Sequence, residues 1–156
     1  MKRPPISLKA RAIKYLSSRE HSRLELARKL NPYAQDGDDI EALLNWLEQA
    51  KFLSAERFSE SLVHRRAGRF GNHRIFSELQ SHGMDAADYD DIKHTLIAGE
   101  AQRALAVLRK KYSVPPDSPE ARIKYQRFLM QRGFSGQSIS QAIKMMHCND
   151  AFDENA

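Results

Sequence analysis

Apolar residues recur along this chain at three- and four-residue spacings, in short runs separated by serine, aspartate, glycine and proline, and nowhere do they alternate strictly with polar ones. That period is the signature of amphipathic helices and not of strands. The run boundaries carry their own signals. Ser22 with Glu25 reads as a capping box, Ser54 precedes AERFSESLVHRRA, Ser118-Pro119 places proline at a first helical position, and Asp85 and Ser135 precede later runs. Nine helices are predicted, near residues 8–18, 22–30, 38–51, 55–68, 72–82, 86–98, 99–113, 119–132 and 136–147.

The helices group in threes. HSRLELARKL, NHRIFSELQSHGM and IKYQRFLMQRGF superimpose on Leu30, Leu79 and Leu129, and in the second and third copies a glycine follows four residues later, Gly83 and Gly133. A glycine there predicts a left-handed cap, with the next apolar residue, Met84 or Phe134, folding back on the helix. The expectation is an all-α chain of three tandem three-helix repeats, residues 8–53, 54–98 and 99–147, forming an elongated, curved array.

Each repeat has its own candidate core. Ala12, Ile13, Leu16, Leu24, Leu26, Leu30, Ile40, Leu43, Leu44 and Leu47 serve the first, with Trp46 in register to join them. The second draws on Phe58, Leu62, Ile75, Phe76, Leu79, Ile92 and Leu96. Leu105, Leu108, Ile123, Phe128, Leu129, Ile139 and Ile143 fill the third. Units this small need stacking neighbours or a partner for stability.

Charge sharpens the repeat. Residues 1–34, 64–80 and 101–135 are basic blocks and residues 35–63 and 81–100 acidic ones, within a net charge of +5. No run approaches the roughly 20 apolar residues of a membrane helix, and MKRPPISLKA lacks the apolar stretch of a signal peptide. With the single Cys148 excluding an internal disulfide, a monomeric cytoplasmic protein is expected.

Catalytic, cofactor and metal sites are not expected. His64, His73 and His82 fall on different helices, Asp38-Asp39 and Asp90-Asp91 suit polar helix starts, and HEXXH, CXXC and Walker patterns are absent. The informative stretch is RRAGRFGNHRI, residues 65–75. Its GRFG matches the GXXG loop of KH domains only superficially, since that loop needs strands beside it. Gly68 and Gly71 are expected to make a helix-to-helix turn, with Asn72 capping the next helix. A solvated helix end would account for any one arginine, but Arg65, Arg66, Arg69 and Arg74 together point to an anion or acidic-partner site. Arg109, Lys110, Lys111 and Arg132 of the third basic block complete the candidate partner-binding set.

Taken in order, RAIKYLSSREHSRLELARKL, FLSAERFSESLVHRRAGRFGNHRIFSELQSHGM and IKYQRFLMQRGFSGQSISQAI resemble the RecX family of bacterial recombination regulators, over residues 8–146. Lys51 and Ala55 depart from the family pattern, where glycine and an acidic residue are usual. The resemblance implies a non-enzymatic regulator with three tandem three-helix repeats. Such a protein binds along the groove of the RecA filament on single-stranded DNA and inhibits its recombinase, ATPase and co-protease activities, in DNA repair, homologous recombination and the SOS response. A general nucleic-acid-binding helical-repeat protein and a scaffold for another protein are the alternatives from other classes.

Overall fold

A computed structural model describes residues 5–153, with side-chain surroundings up to residue 148. Among the described residues the chain forms eight α-helices, two 3-10 turns and no strand. The helices are α1 (Leu8–Ser18), α2 (Arg23–Leu30), α3 (Ile40–Gln49), α4 (Ala55–Arg66), α5 (Asn72–Ser81), α6 (Asp90–Lys111), α7 (Pro119–Gln131) and α8 (Gly136–Asp153). The turns are Asn31–Tyr33 and Ala86–Tyr89.

Most starts are capped as the serines predict. Ser22, Ser54 and Ser118 accept hydrogen bonds from the amides of Glu25, Arg57 and Ala121 at 3.1, 3.2 and 3.1 Å, and Ser135 accepts one from Ser138. Asp85 caps the Ala86–Tyr89 turn instead of an α-helix. The predicted glycine stops are present too. Gly83 and Gly133 adopt φ +78° and +89°. The amides of Met84 and Phe134 then reach back to the carbonyls of Leu79 and Leu129, at 3.3 and 3.2 Å, and both side chains are buried.

Three separate hydrophobic cores result. The first centres on Ala12, Leu26, Leu30, Leu44, Leu47 and Leu53, the second on Phe58, Leu62, Ile75, Leu79, Met84, Tyr89 and Leu96. The third is built from Leu105, Leu108, Tyr125, Leu129, Phe134, Ile139, Ile143 and Met146, with Ala104, Val107 and Ala142. A buried leucine or phenylalanine contributes on the order of 2 kcal/mol, so a handful per unit leaves each unit dependent on its neighbours.

Three expectations are corrected here. The predicted helices at 86–98 and 99–113 are one, because α6 runs unbroken through Gly99. A helix-interior glycine costs only about 1 kcal/mol against alanine, and no capping side chain interrupts the helix there. Trp46 is 38% exposed, lying over the first core's rim with Lys9 Nζ 3.6 Å from its ring centroid. Ile123 is 52% exposed on α7, and Tyr125 takes the buried place beside it.

The units are joined differently. Between the first and second, Arg57 of α4 pairs with Glu20 at 2.8 Å and donates to the carbonyls of Lys51 and Phe52. Ser22 shares a 2.8 Å hydrogen bond with His82. Between the second and third, the backbone itself takes part, and there the candidate site lies.

Candidate partner-binding surface at the second joint

The GRFGN stretch is a docking turn. α4 ends at Arg66, before Gly68, and α5 begins at Asn72 with Gly71 as its cap, so Asn72 is the first helical residue and not the predicted capping group. The side chain that satisfies the start of α5 comes from elsewhere. The Asn72 amide donates to Glu100 Oε2 at 2.7 Å, while the amides of Gly71 and His73 donate to the carbonyls of Arg132 and Gly133 at 2.8 and 3.1 Å. Only glycine fits at 71, where a Cβ would overlap the backbone of Gly133 and Phe134.

Glu100 is 3% exposed and serves two helix starts at once. Its other oxygen accepts from the Ser135 amide at 3.2 Å and the Ser135 hydroxyl at 2.6 Å, at the beginning of α8. Two positive helix ends thus share one carboxylate. Burial alone would raise its pKa, but hydrogen bonds from the Ser135 and Ser138 side chains and from the Asn72 and Ser135 amides outweigh it, and the net direction is below the ordinary carboxylate value. One helical turn on, the Arg103 guanidinium donates to the carbonyls of Ala67, Phe70 and Leu96 and to Asn72 Oδ1. Burial lowers the Arg103 pKa, opposed by the charge of Glu100.

The turn fixed in this way carries Phe70, and cations gather on it. The guanidinium carbons of Arg74, Arg69 and Arg132 lie 4.1, 5.3 and 5.8 Å from its ring centroid. Arg132 also faces Phe128 at 5.1 Å, and Lys111 Nζ lies 4.6 Å from the same ring. Arg69, Lys110, Lys111 and Arg132 line a shallow cleft of about 360 Å³ with Gly68, Val107 and Phe128. Among the described residues none of these five cations forms an ion pair.

Of the eight candidates read from the sequence, the structure therefore unites Arg69, Arg74, Lys110, Lys111 and Arg132. Arg66 stands apart, because its guanidinium is held by both oxygens of Glu78 at 3.0 Å. Arg65 is exposed on the last turn of α4, its Nε donating to the Ser61 carbonyl, and Arg109 is exposed on α6 away from the cleft. The surface also extends beyond the candidates. An adjoining cleft shares Lys111 and Phe128 and adds Tyr112, Lys124 and Arg127. Tyr112 is stacked on Tyr125 with centroids 4.0 Å apart. The interleaving of basic and aromatic residues in KKY and KYQRF was the available signal for these positions.

Chemically, this arrangement offers delocalised and point cations over aromatic faces, and among the described residues lining the two clefts Glu120 is the one carboxylate. It suits carboxylates or phosphates presented on a larger surface.

Known proteins resemble this chain in sequence and in fold. Residues 99–143 match the family model described as "RecX, third three-helix domain". A protein of Herbaspirillum seropedicae named "Regulatory protein RecX" is 68% identical over 144 residues, covering 92% of this chain and 94% of that one. A Neisseria gonorrhoeae protein of the same name is 33% identical over 153 residues, covering 98% and 96%. The crystal structure of RecX from Lactobacillus salivarius superimposes with a TM-score of 0.74 at 23% identity, over 90% of this chain and 95% of the other, a likeness of fold. Similarity of this extent and identity, on three helical units in tandem, settles the assignment: the chain belongs to the RecX family of regulatory proteins.

Proposed function

We propose that this protein regulates RecA by lying along the helical groove of its filament on single-stranded DNA, inhibiting recombinase, ATPase and co-protease activities, as a cytoplasmic monomer without catalysis of its own. The observation that carries this reading is the unpaired group of Arg69, Arg74, Lys110, Lys111 and Arg132 over Phe70 and Phe128, set where two helical units meet. Three small units in series give a partner several modest contacts, and avidity rather than one deep pocket supplies the affinity. Acidic side chains at the opposite end of α6, Asp88, Asp90 and Asp91 with Glu56 and Glu60, suit a partner whose own charges alternate.

The test uses Arg69→Glu with Lys110→Glu, two cleft residues from different elements. Titrations at matched salt read inhibition of RecA ATPase on single-stranded DNA and anisotropy of that DNA alone, with helicity checked by circular dichroism. A fixed cation opposite a particular carboxylate becomes repulsive on reversal, whereas phosphate contacts are interchangeable among many basic residues. The reading expects a far larger loss of inhibition than of DNA binding. Equal losses favour a general nucleic-acid-binding protein, and no loss in either assay removes these cations from function.

A further inference from the structure

At the second joint, buried Glu100 and half-buried Arg103 bind the 67–72 turn and the starts of α5 and α8, next to the elements that carry the cleft cations. We propose that Glu100 and Arg103 are positioning residues that hold the 67–72 turn against the third unit, so that Arg69, Arg74 and Arg132 meet on Phe70 as one preformed surface. The proposal rests on the functional reading above and adds the means by which its surface is assembled.

The argument begins with what the turn lacks. Gly68 and Gly71 flank Arg69-Phe70, and Gly68 has open space around its α-carbon. No side chain of the turn caps α5. Left alone, such a turn would sample many conformations, and Arg69 and Phe70 with it. Its order comes from outside. Arg103 binds carbonyls at both of its ends, Ala67 at 3.2 Å and Phe70 at 3.0 Å, like a staple across the bend. Glu100 takes the Asn72 amide on one oxygen and Ser135 on the other, so the start of α5 and the start of α8 are set at a fixed distance.

Arg132 enters through the same contacts. Its carbonyl receives the Gly71 amide, its guanidinium donates to the Arg69 carbonyl at 3.3 Å, and Gly133 lies against the backbone and Cβ of Arg74. The three guanidinium groups thus come from a turn, from the first turn of α5 and from the end of α7. Mutual repulsion would spread them if the backbones were free. Two charges in the joint, neither of them displayed to a partner, hold the displayed charges together. This is the advantage of preorganisation: the ordering cost is met in folding and not again on binding.

Glu100→Gln is the discriminating change. The shape is kept, but an amide presents its oxygen to one side only, leaving either the Asn72 amide or Ser135 facing a donor. The experiment is hydrogen exchange of full-length protein, together with a double-mutant cycle of Glu100→Gln and Arg69→Glu read by inhibition of RecA ATPase. Exchange at Gly71, Asn72 and His73 is expected to accelerate by about tenfold or more with overall helicity retained, since a lost bond to a charged group is worth that factor. Inhibition is expected to weaken about tenfold, and Arg69→Glu to add much less in the Glu100→Gln background than in the parent. Arg103→Lys, which keeps the charge but has one nitrogen where arginine uses one for the Ala67 and Phe70 carbonyls and a second for Asn72 and Leu96, should behave alike and serves if Glu100→Gln does not fold. Accelerated exchange with undiminished inhibition would overturn the proposal, and so would full additivity of the two substitutions. Failure of the underlying reading looks different: Arg69→Glu alone would then be silent in the ATPase assay, whatever the exchange rates show.

Discussion

Lys51 sits in a place built for glycine. It is the only non-glycine with positive φ among the described residues, at +65°, and it ends α3 by the same turn that Gly83 and Gly133 make after α5 and α7. The amides of Phe52 and Leu53 reach back to Leu47 at 2.9 and 3.1 Å. A side chain in the left-handed region costs about 1–2 kcal/mol. Its replacement, Lys51→Gly, returns about 0.4–1 kcal/mol of that through the greater freedom of glycine in the unfolded chain. Nothing else of value is lost: the Lys51 side chain is exposed, and Arg57 binds its carbonyl, which glycine retains at 2.8 Å. The net expectation is stabilisation by about 0.5–1 kcal/mol, a rise in Tm of about 1–4 °C for a chain of this size. Trp46, the sole tryptophan, lies 5.8 Å from Phe52 at the end of the same helix. Its fluorescence reports the first unit directly, beside the helical signal of the whole. Lys51→Ala serves as the control, since alanine keeps the strained conformation. If glycine gives no rise, or alanine gives an equal one, the backbone at residue 51 is not the source of strain and the reasoning fails.

Three shorter expectations concern the second joint and His21 of the first unit. Gly71→Ala should cost about 3 kcal/mol and make the second and third units melt separately in calorimetry, because the added methyl overlaps the Gly133-Phe134 backbone; an unchanged melt would refute the close approach. Stability should be fully present at neutral pH and decline on acidification in two stages. Burial holds the His21 pKa below its usual value, so the unfolded chain takes up that proton first as pH falls through the ordinary histidine range. Glu100, also depressed when folded, contributes stability above the ordinary carboxylate pKa that is lost as pH falls through its lower folded value. Urea titrations of the parent and of His21→Phe and Glu100→Gln locate the two stages; variants with the parent's pH profile would remove these groups as its cause.

How much of this was legible beforehand depended on the range of the interaction. Caps and left-handed stops are decided within a few residues, so Ser22, Ser54, Gly83 and Gly133 announced themselves, and leucines at helical spacing named most of each core. Asn72 misled because a good capping residue beside a glycine says nothing of a carboxylate 28 positions away that takes the role instead. Gly99 misled in the opposite sense, suggesting a break where tertiary packing on both sides keeps the helix whole. In the cluster, composition located the arginines but not their partners: that Arg66 is paired with Glu78 while Arg69 is free follows from direction around a helix end. Trp46 and Ile123 show the same limit, since a residue in register with a core can still lie on its rim.

The continuity of α6 bears on how the protein is made. Its first half closes the second core through Leu96, and its second half opens the third with Ala104, Leu105 and Leu108. During synthesis the first unit can gather its core, all of it within residues 8–53, before the rest emerges, whereas the core of the second needs the first half of α6. The opening amides of α5 wait for acceptors at Glu100, Arg132 and Gly133, the last of which emerges only when α7 has been completed. Until then RRAGRFGN lacks those acceptors, and its surface takes shape only once α7 has followed it out of the ribosome.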